Sequence, residues 1–353
     1  PLLHPLRESP VVDAGDRLRL PRQAVIGPGF YAGGQLGYDA LHIRSDGKGG
    51  GAARRSELGD QGGEAGVFAG YGFDLGHWYL GAELEASNSW ADIDLSGYQP
   101  GGRSLAVERK DAYALTARLG YTVPVGVLLY ARGGVVRSKF ETQYGRNDLQ
   151  GNAVDDSTRQ TGVRYGVGAD VPASARLFVR LDYSYTDFDS YTLALAGETE
   201  RLRPAENLFR LGLGWRFGEG PKKKAVQAPI ERRGFYTGVQ IGHGSLNTEL
   251  SGIQRSAGAA TFDFEGDFGD QRGVTGSVFA GYGRTWKRWY AGLEAELGAS
   301  TSKWKHREAS AGREFSVEKK DSRGISLRGG YVLDNGALLY ARAGGVKTRF
   351  STE

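Results

Sequence analysis

The sequence of 353 residues contains no cysteine, which excludes disulfide bridges, cysteine-ligated zinc sites and thiol catalysis. It also contains no methionine and begins at Pro1, so translation did not start there. Removal of an export signal is the simplest explanation, although a trimmed sequence would look the same. No apolar run approaches the roughly 18 residues that a transmembrane helix requires. A form of this chain that spans a membrane must therefore cross it as strands.

Glycine and aromatic residues are abundant, with 56 glycines, 18 tyrosines, 15 phenylalanines and 6 tryptophans against 11 prolines. This composition is unlike collagen or a proline-rich disordered tract, and it suits closely packed, curved strands. The formal net charge is +4, but Lys and Arg are spread through the chain instead of forming a basic stripe with interleaved aromatics. Nucleic acid is therefore not expected as a partner.

The chain contains a long internal repeat. Val-Phe-Ala-Gly-Tyr-Gly at 67–72 recurs at 278–283, an offset of 211, and Leu-Leu-Tyr-Ala-Arg at 128–132 recurs at 338–342, an offset of 210. A period this long indicates duplicated domains, because the repeats of a solenoid are much shorter.

The first copy contains segments in which apolar and polar residues alternate with a period of two, as in strands whose two faces meet different environments. Their length, about ten residues or more, matches what a tilted strand needs to cross a bilayer. Eight such strands are predicted, at 29–44, 64–74, 77–92, 105–122, 125–142, 158–171, 175–188 and 205–217.

The polar faces of these strands decide between a soluble sandwich and a membrane barrel. So many ionisable groups cannot lie in an apolar core without neutralising partners. In a small closed barrel they can pair in the lumen while the apolar face meets lipid. The sequence therefore predicts an all-β fold, an antiparallel up-and-down transmembrane β-barrel of eight strands per copy, in two tandem copies. The predicted lumen network, structural or gating, consists of Glu83, Glu85, Arg118, Arg132, Arg164, Asp170, Arg180, Asp182 and Arg210, with Glu294, Glu296, Arg328 and Arg342 in the second copy.

Connections between the predicted strands alternate between short and long, as in bacterial outer-membrane barrels, where the short turns face the periplasm. The long loops are predicted near 45–63, 93–104, 143–157 and 189–204. With an even number of strands, both ends of a barrel lie on the periplasmic side. The predicted organisation is a periplasmic segment (1–28), a first eight-stranded barrel (29–217), a basic periplasmic linker (218–233) and a second barrel repeat of about five strands (234–353).

The second copy stops early. By the 210-residue offset Glu353 corresponds to Gln143, so residues 144–217 have no counterpart. We expect the given chain to be a fragment of a longer one, the alternative being that the second barrel closes differently. The sequence leaves open whether the two copies form two small barrels or join in one larger barrel.

The order of several short motifs resembles the small outer-membrane barrel family that includes the OmpA transmembrane domain and the opacity proteins. The motifs are a glycine-aromatic first strand, Tyr-Leu-Gly-Ala-Glu at 79–83, Arg-Leu-Gly-Tyr at 118–121, and a strand that ends in an aromatic residue at Phe217. The likeness covers nearly all of 28–217 and part of 234–353. Two departures are the duplication of the barrel and the position of Phe217, which is internal to the chain and followed by a linker.

This resemblance implies a location in the outer membrane of a Gram-negative bacterium and insertion by the outer-membrane assembly machinery, which reads aromatic-ended strands. In this sequence the implied assembly-signal strand is formed by Phe209, Leu211, Leu213, Trp215 and Phe217.

Other interpretations of single residues are less favoured. Glu83 and Glu85 share one face of a strand and could serve acid–base chemistry or ion permeation, but a lumen network with arginines explains them more simply. The five histidines show no metal-ligand spacing, and no nucleophile elbow appears. Gly33-Gly34 and Gly133-Gly134 fit strand kinks where neighbouring strands approach. We therefore expect no catalytic residue, no metal and no cofactor.

The favoured function is that of a non-enzymatic envelope protein, acting through extracellular loops or the barrel wall on outer-membrane lipid, lipopolysaccharide or other outer-membrane proteins. The alternative is a narrow porin-like channel for ions or small solutes, since the interior of eight strands is just wide enough to be filled by side chains. A barrel enzyme would need a nucleophile and a base on adjacent strands, which the sequence does not offer. A soluble β protein would be washed from membranes by carbonate.

Overall fold

The computed structural model describes residues 28–49, 52–98, 103–146, 153–195, 197–217, 233–254, 262–308, 313–333 and 336–352. Within these ranges the chain is almost entirely antiparallel β-sheet. The predicted periplasmic segment and basic linker lie outside the described residues, apart from residues 28 and 233 at their ends. Across the ranges described, no helix is long and apolar enough to span a membrane.

The described part of the first copy forms ten strands. They are β1 (Gly29–Gly49), β2 (Ala52–Leu75), β3 (Trp78–Ser89), β4 (Asp92–Tyr98), β5 (Arg103–Thr122), β6 (Leu128–Arg146), β7 (Ala153–Pro172), β8 (Leu177–Phe188), β9 (Tyr191–Leu195) and β10 (Glu198–Arg216).

Eight of these strands close into a ring. The order is β1-β10-β8-β7-β6-β5-β3-β2, and β2 pairs back onto β1 with Gly29 opposite Gly72. The last strand is held on both sides, because β10 pairs with β1 and with β8. The short strands β4 and β9 pair with β5 and β10 beyond the ring. The antiparallel eight-stranded barrel predicted from the sequence is confirmed for the first copy.

The two faces of the ring strands have opposite character at membrane level. In β10, Leu211 and Leu213 are 52% and 57% exposed on the outside, whereas Arg210 between the outward side chains is fully buried inside. β3 from Trp78 to Glu85 and β5 from Ala112 to Thr122 show the same alternation of exposed and buried positions. Apolar side chains facing out and ionised side chains facing in are the arrangement expected of a barrel surrounded by lipid.

The strands are longer than predicted, and the four predicted long loops are mostly β-structure. The loop predicted at 45–63 contains the end of β1 and the start of β2, and the one at 189–204 contains β9 and the start of β10. The loops at 93–104 and 143–157 likewise contain most of β4 and parts of β5, β6 and β7. The prediction was wrong because the outward faces become polar there, which resembles a loop in sequence.

The interior changes from charged to apolar in this outer part of the barrel. In β1 the inward positions continue from Asp39 to Leu41 and Ile43, which are buried. They join an apolar cluster above the charged layer that also contains Leu58, Val107, Phe140 and Leu202. Strands that project from the membrane into water need such an apolar core, because their outward faces no longer meet lipid.

The second copy repeats the first six strands in order. They are β11 (Arg233–Gln254), β12 (Phe262–Trp286), β13 (Trp289–Ser300), β14 (Lys303–Glu308), β15 (Arg313–Val332) and β16 (Leu338–Thr352). The pairing runs β11-β12-β13-β15-β16, with β14 added to β15 as β4 is added to β5.

The two copies are joined at the outer ends of their strands. Phe268 of β12 pairs with Leu58 of β2, and Gly266 pairs with Leu95 of β4. Trp304 of β14 is buried and its Nε1 donates a hydrogen bond to the backbone oxygen of Glu57 at 3.2 Å. The first copy is thus a closed barrel of its own, and the second copy continues its sheet in the outer region.

The paired glycines Gly133 and Gly134 differ in what surrounds them. A methyl group added at Gly134 would lie 2.0 Å from the backbone oxygen of Leu115, whereas one added at Gly133 meets nothing closer than 3.9 Å. We therefore expect Gly134→Ala to lower the free energy of unfolding by roughly 1–3 kcal/mol, because the neighbouring strand must move. Urea unfolding of the protein in detergent micelles measures this.

Gly133→Ala is the matched control and should leave the unfolding midpoint unchanged. Equal loss in the two variants would contradict the close approach of β6 to β5. The same asymmetry recurs in the second copy. A methyl group added at Gly344 would lie 2.1 Å from the backbone oxygen of Ile325, whereas one added at Gly345 would lie in open space.

Candidate functional site: the charged barrel interior

The interior of the first barrel at membrane level is filled by carboxylates and guanidinium groups. They project from β3, β5, β6, β7, β8 and β10, at alternate positions whose side chains point inward. All of the residues predicted from the sequence for this copy lie here, and none is more than 5% exposed. The set is Glu83, Glu85, Arg118, Arg132, Arg164, Asp170, Arg180, Asp182 and Arg210.

Two arginines and two carboxylates form the cluster nearest the short turns that join β2 to β3, β5 to β6 and β7 to β8. The Arg180 Nη1 lies 2.8 Å from Glu83 Oε2, and its Nε lies 2.9 Å from Asp170 Oδ1. The Arg118 Nη2 lies 2.8 Å from Asp170 Oδ2, and its Nη1 lies 3.3 Å from Glu83 Oε2. Each carboxylate thus bridges both guanidinium groups, and the cluster is electrically neutral.

Aromatic rings surround this cluster. The guanidinium carbon of Arg118 lies 3.7 Å from the ring centre of Tyr130, and that of Arg180 lies 3.9 Å from the ring centre of Phe68. Arg118 Nη1 also donates to the hydroxyl of Tyr31 at 3.1 Å. Cation–π contacts of this kind stabilise desolvated arginines, and the rings fill the space beside them.

A second cluster lies farther from the short turns and contains three arginines. The Arg132 Nη2 lies 2.7 Å from Glu85 Oε1, and the Arg210 Nη2 lies 2.6 Å from Asp182 Oδ1. Arg164 bridges to the next level of the interior, because its Nη1 lies 3.0 Å from Glu85 Oε2 and its Nη2 lies 2.5 Å from Glu206 Oε1. Glu83 and Glu85 are therefore each paired with arginines and are not a free carboxylate pair.

Sequence reasoning missed a third group of ionised residues at the top of the charged layer. Arg109 is fully buried, with Nε 2.8 Å from Glu206 Oε2 and Nη1 3.0 Å from Asp39 Oδ2. Glu64 is also close, at 3.8 Å from Arg109 Nη2. A register shift between Arg109 and Ala112 reverses the alternation of β5, so the period-two pattern places Arg109 on the wrong face. Asp39, Glu64 and Glu206 follow the inward pattern of their own strands and could have been found by extending it.

Above the charged layer the apolar cluster closes the interior. Tyr191 is buried there, and its hydroxyl lies 2.8 Å from Thr142 Oγ1. Burial raises the pKa of Tyr191 to about 12, so its hydroxyl stays neutral throughout the physiological range.

The predicted residues of the second copy come together in the same way. Glu294 is buried and forms ion pairs with Arg328 and with Arg342, the latter at 3.0 Å. Glu296 lies 2.8 Å from Arg342, whose side chain is 36% exposed. The polar face of the second copy therefore repeats the pairing of the first but is less enclosed.

The arrangement fills the interior with mutually neutralised charges. Within the part of the chain that the structure describes, no group of acidic residues and histidines could hold a metal ion. What the geometry provides is a rigid ionic layer topped by an apolar layer.

Comparisons with known proteins agree with this architecture. A sequence model of the family described as outer membrane protein beta-barrel domain matches residues 19–217, more than half of the chain. The chain is similar to the 25 kDa outer-membrane immunogenic protein of Brucella melitensis, with 29% identity over 154 residues, 44% of this chain and 65% of that protein.

It is also similar to outer membrane protein A of Shigella dysenteriae, with 26% identity over 231 residues, 63% of this chain and 57% of that protein. The matches thus span less than two thirds of each relative's length. Among solved structures it is similar to Ail, the attachment invasion locus protein of Yersinia pestis, with 15% identity and a TM-score of 0.29, over 54% of this chain and 99% of that one.

Proposed function

Because the chain belongs to the family of outer membrane protein β-barrel domains and is located in the outer membrane of a Gram-negative bacterium, we propose that it is a non-enzymatic envelope protein. Its filled barrel is the anchor, and its outer wall and projecting strands contact outer-membrane lipid, lipopolysaccharide or neighbouring outer-membrane proteins. The observation that carries this proposal is the packed interior, in which every predicted charge has a partner.

The packed interior supports an anchoring role over a conducting one. A solute crossing the barrel would have to break the bridging contacts of Arg118 and Arg180 and then pass the apolar layer around Leu41 and Phe140. Buried ion pairs that lose one partner are costly, on the order of 3–5 kcal/mol each. Such an interior acts as a plug.

The outer strands support contact with partners. β1 pairs with β2 and β6 with β7 beyond the apolar band, so the described residues that project there are held in sheet. Rigid elements present side chains with little loss of conformational entropy on binding.

The aromatic-ended strand β10 is the candidate assembly signal. Its outward face exposes Phe209, Leu211, Leu213 and Trp215, and Phe217 directly after the strand is also exposed, so a factor that inserts barrels could contact them before lipid does. We infer that this strand is read during insertion although Phe217 is internal to the chain.

Planar-bilayer recording of the purified chain tests the anchoring role. We expect a baseline without steady conductance, and we expect lipopolysaccharide to remain with the protein when it is extracted from outer membranes in mild detergent. A general porin purified in the same way is the positive control. A large, steady conductance would favour the channel instead.

A further inference from the structure

A shallow apolar groove of about 850 Å³ runs along the outer wall of the first barrel. Its floor is made by small side chains, Ala32, Ala69 and Ala86, and its sides by larger ones such as Val67 and Leu115. Val67 is 60% exposed, so the groove opens to the lipid side of the wall. A trough between larger apolar side chains has the shape and the chemistry to hold an acyl chain.

A cation stands at the outer end of this groove. Arg137 lines it on β6, one outward position beyond Val135. Since β6 starts at the short turn before Leu128, higher residue numbers lie nearer the outside, and Arg137 is the first charge above the apolar band. Arg137 is exposed and forms no ion pair or side-chain hydrogen bond with any residue that the structure describes.

The second copy carries the same groove, of about 830 Å³. Val278 and Ala280 stand where the first copy has Val67 and Ala69, and Ile325 stands where it has Leu115. Lys347 takes the place of Arg137 and is likewise exposed, and Arg323 lines this groove where the first copy has Tyr113. An apolar trough with a cation at one fixed end therefore occurs twice, at equivalent positions of the repeat.

A lipid with a phosphorylated headgroup fits both parts of this site. The acyl chain gains from the apolar trough, and the phosphate gains charge-assisted hydrogen bonds from a guanidinium or ammonium group at headgroup level. The cation lies just beyond the apolar band, partway along a strand that continues outward, so the lipid must be one of the outer leaflet. In a Gram-negative outer membrane that lipid is lipopolysaccharide.

We propose that each copy binds one lipopolysaccharide molecule on its outer wall, with an acyl chain in the groove and a phosphate on Arg137 or Lys347. This inference rests on the proposed function, whose lipid contacts it assigns to one site per repeat. The groove holds the acyl chain by its shape, and the cation selects the charged headgroup.

The test is equilibrium binding of fluorescent lipopolysaccharide to the whole chain in detergent micelles. We expect Arg137→Gln combined with Lys347→Gln to weaken binding roughly tenfold, as the loss of a charge-assisted contact predicts. Ala86→Phe, which fills the first groove without altering charge, should abolish binding at that groove and halve the stoichiometry. Arg201→Gln, which removes an equal charge from an exposed position of β10 outside the groove, is the control.

Unchanged affinity in the double variant and in Ala86→Phe, with lipopolysaccharide still bound by the unaltered chain, would overturn the site but not the anchoring role. Competition by phosphatidylglycerol micelles as strong as by unlabelled lipopolysaccharide would overturn the choice of lipid. No bound lipopolysaccharide in the unaltered chain, together with steady conductance, would overturn the proposed function itself. Heat-induced shifts of gel mobility verify that each variant is folded.

Discussion

Replacing Arg180 by Met should lower the free energy of unfolding of the first barrel by about 3–5 kcal/mol, the cost of leaving a buried charge without its partner. Arg180 bridges Glu83 and Asp170, and its removal leaves two buried carboxylates to share Arg118. Urea unfolding in detergent micelles, followed by gel mobility, measures the loss.

A double variant separates charge balance from packing. Combining Arg180→Met with Asp170→Asn removes one charge of each sign, so part of the lost stability should return. Arg176→Met, at the exposed turn before β8, should have no measurable effect. If Arg176→Met and Arg180→Met destabilised the barrel equally, the ionic layer would not be what holds the interior together.

A charge placed on the lipid-facing side of the wall should lower the folding stability nearly as much as Arg180→Met does. Leu213 lies at the centre of the apolar stripe of β10 and is exposed. Leu213→Arg is expected to cost about 2–4 kcal/mol, the range for a charged residue at the bilayer midplane on a barrel wall. Folding into lipid vesicles, titrated with urea, gives the value.

Thr199→Arg is the matched control, because Thr199 lies on the same strand and the same outward face but beyond the apolar band. It should leave the folding free energy almost unchanged. Tolerance of Leu213→Arg in vesicles would mean that this face is not in contact with lipid, and the assignment of the wall would be wrong.

The sequence predicts the membrane-level part of the barrel because one rule applies there throughout. Outward positions such as Leu211 are apolar and inward positions such as Arg210 are charged, so a period of two identifies both the strand and its faces. The closure into a ring of eight followed from the number of strands.

The outer part could not be predicted because the rule reverses along the same strand. In β1 the inward side changes from Asp39 to Leu41 and Ile43, while the outward side becomes polar. A search for one constant pattern ends at the reversal and assigns a loop. The register shift in β5 has the same effect on Arg109, whose side cannot be read from spacing alone.

The sequence also indicates whether a charged side chain points into the barrel, but it does not indicate at which level along the barrel axis that side chain lies. Arg210 and Asp182 lie opposite each other on the neighbouring strands β10 and β8 and form an ion pair. Pairing these two strands in sequence order would suggest this contact. The contact of Arg180 with Glu83 joins strands on different parts of the ring. It depends on the stagger of all strands between them, which no local pattern encodes.

The join between the copies alters what the rim of the first barrel offers to its surroundings. β3 ends at Ser89, so the outer half of β2 has β1 on one side, and its other side is met by β12 and β14. Without the second copy, amide and carbonyl groups of β2 would point into water as an open edge, which is the common starting point of strand-by-strand aggregation. The second copy thus covers part of this edge, at the two positions where β12 and β14 pair with β2.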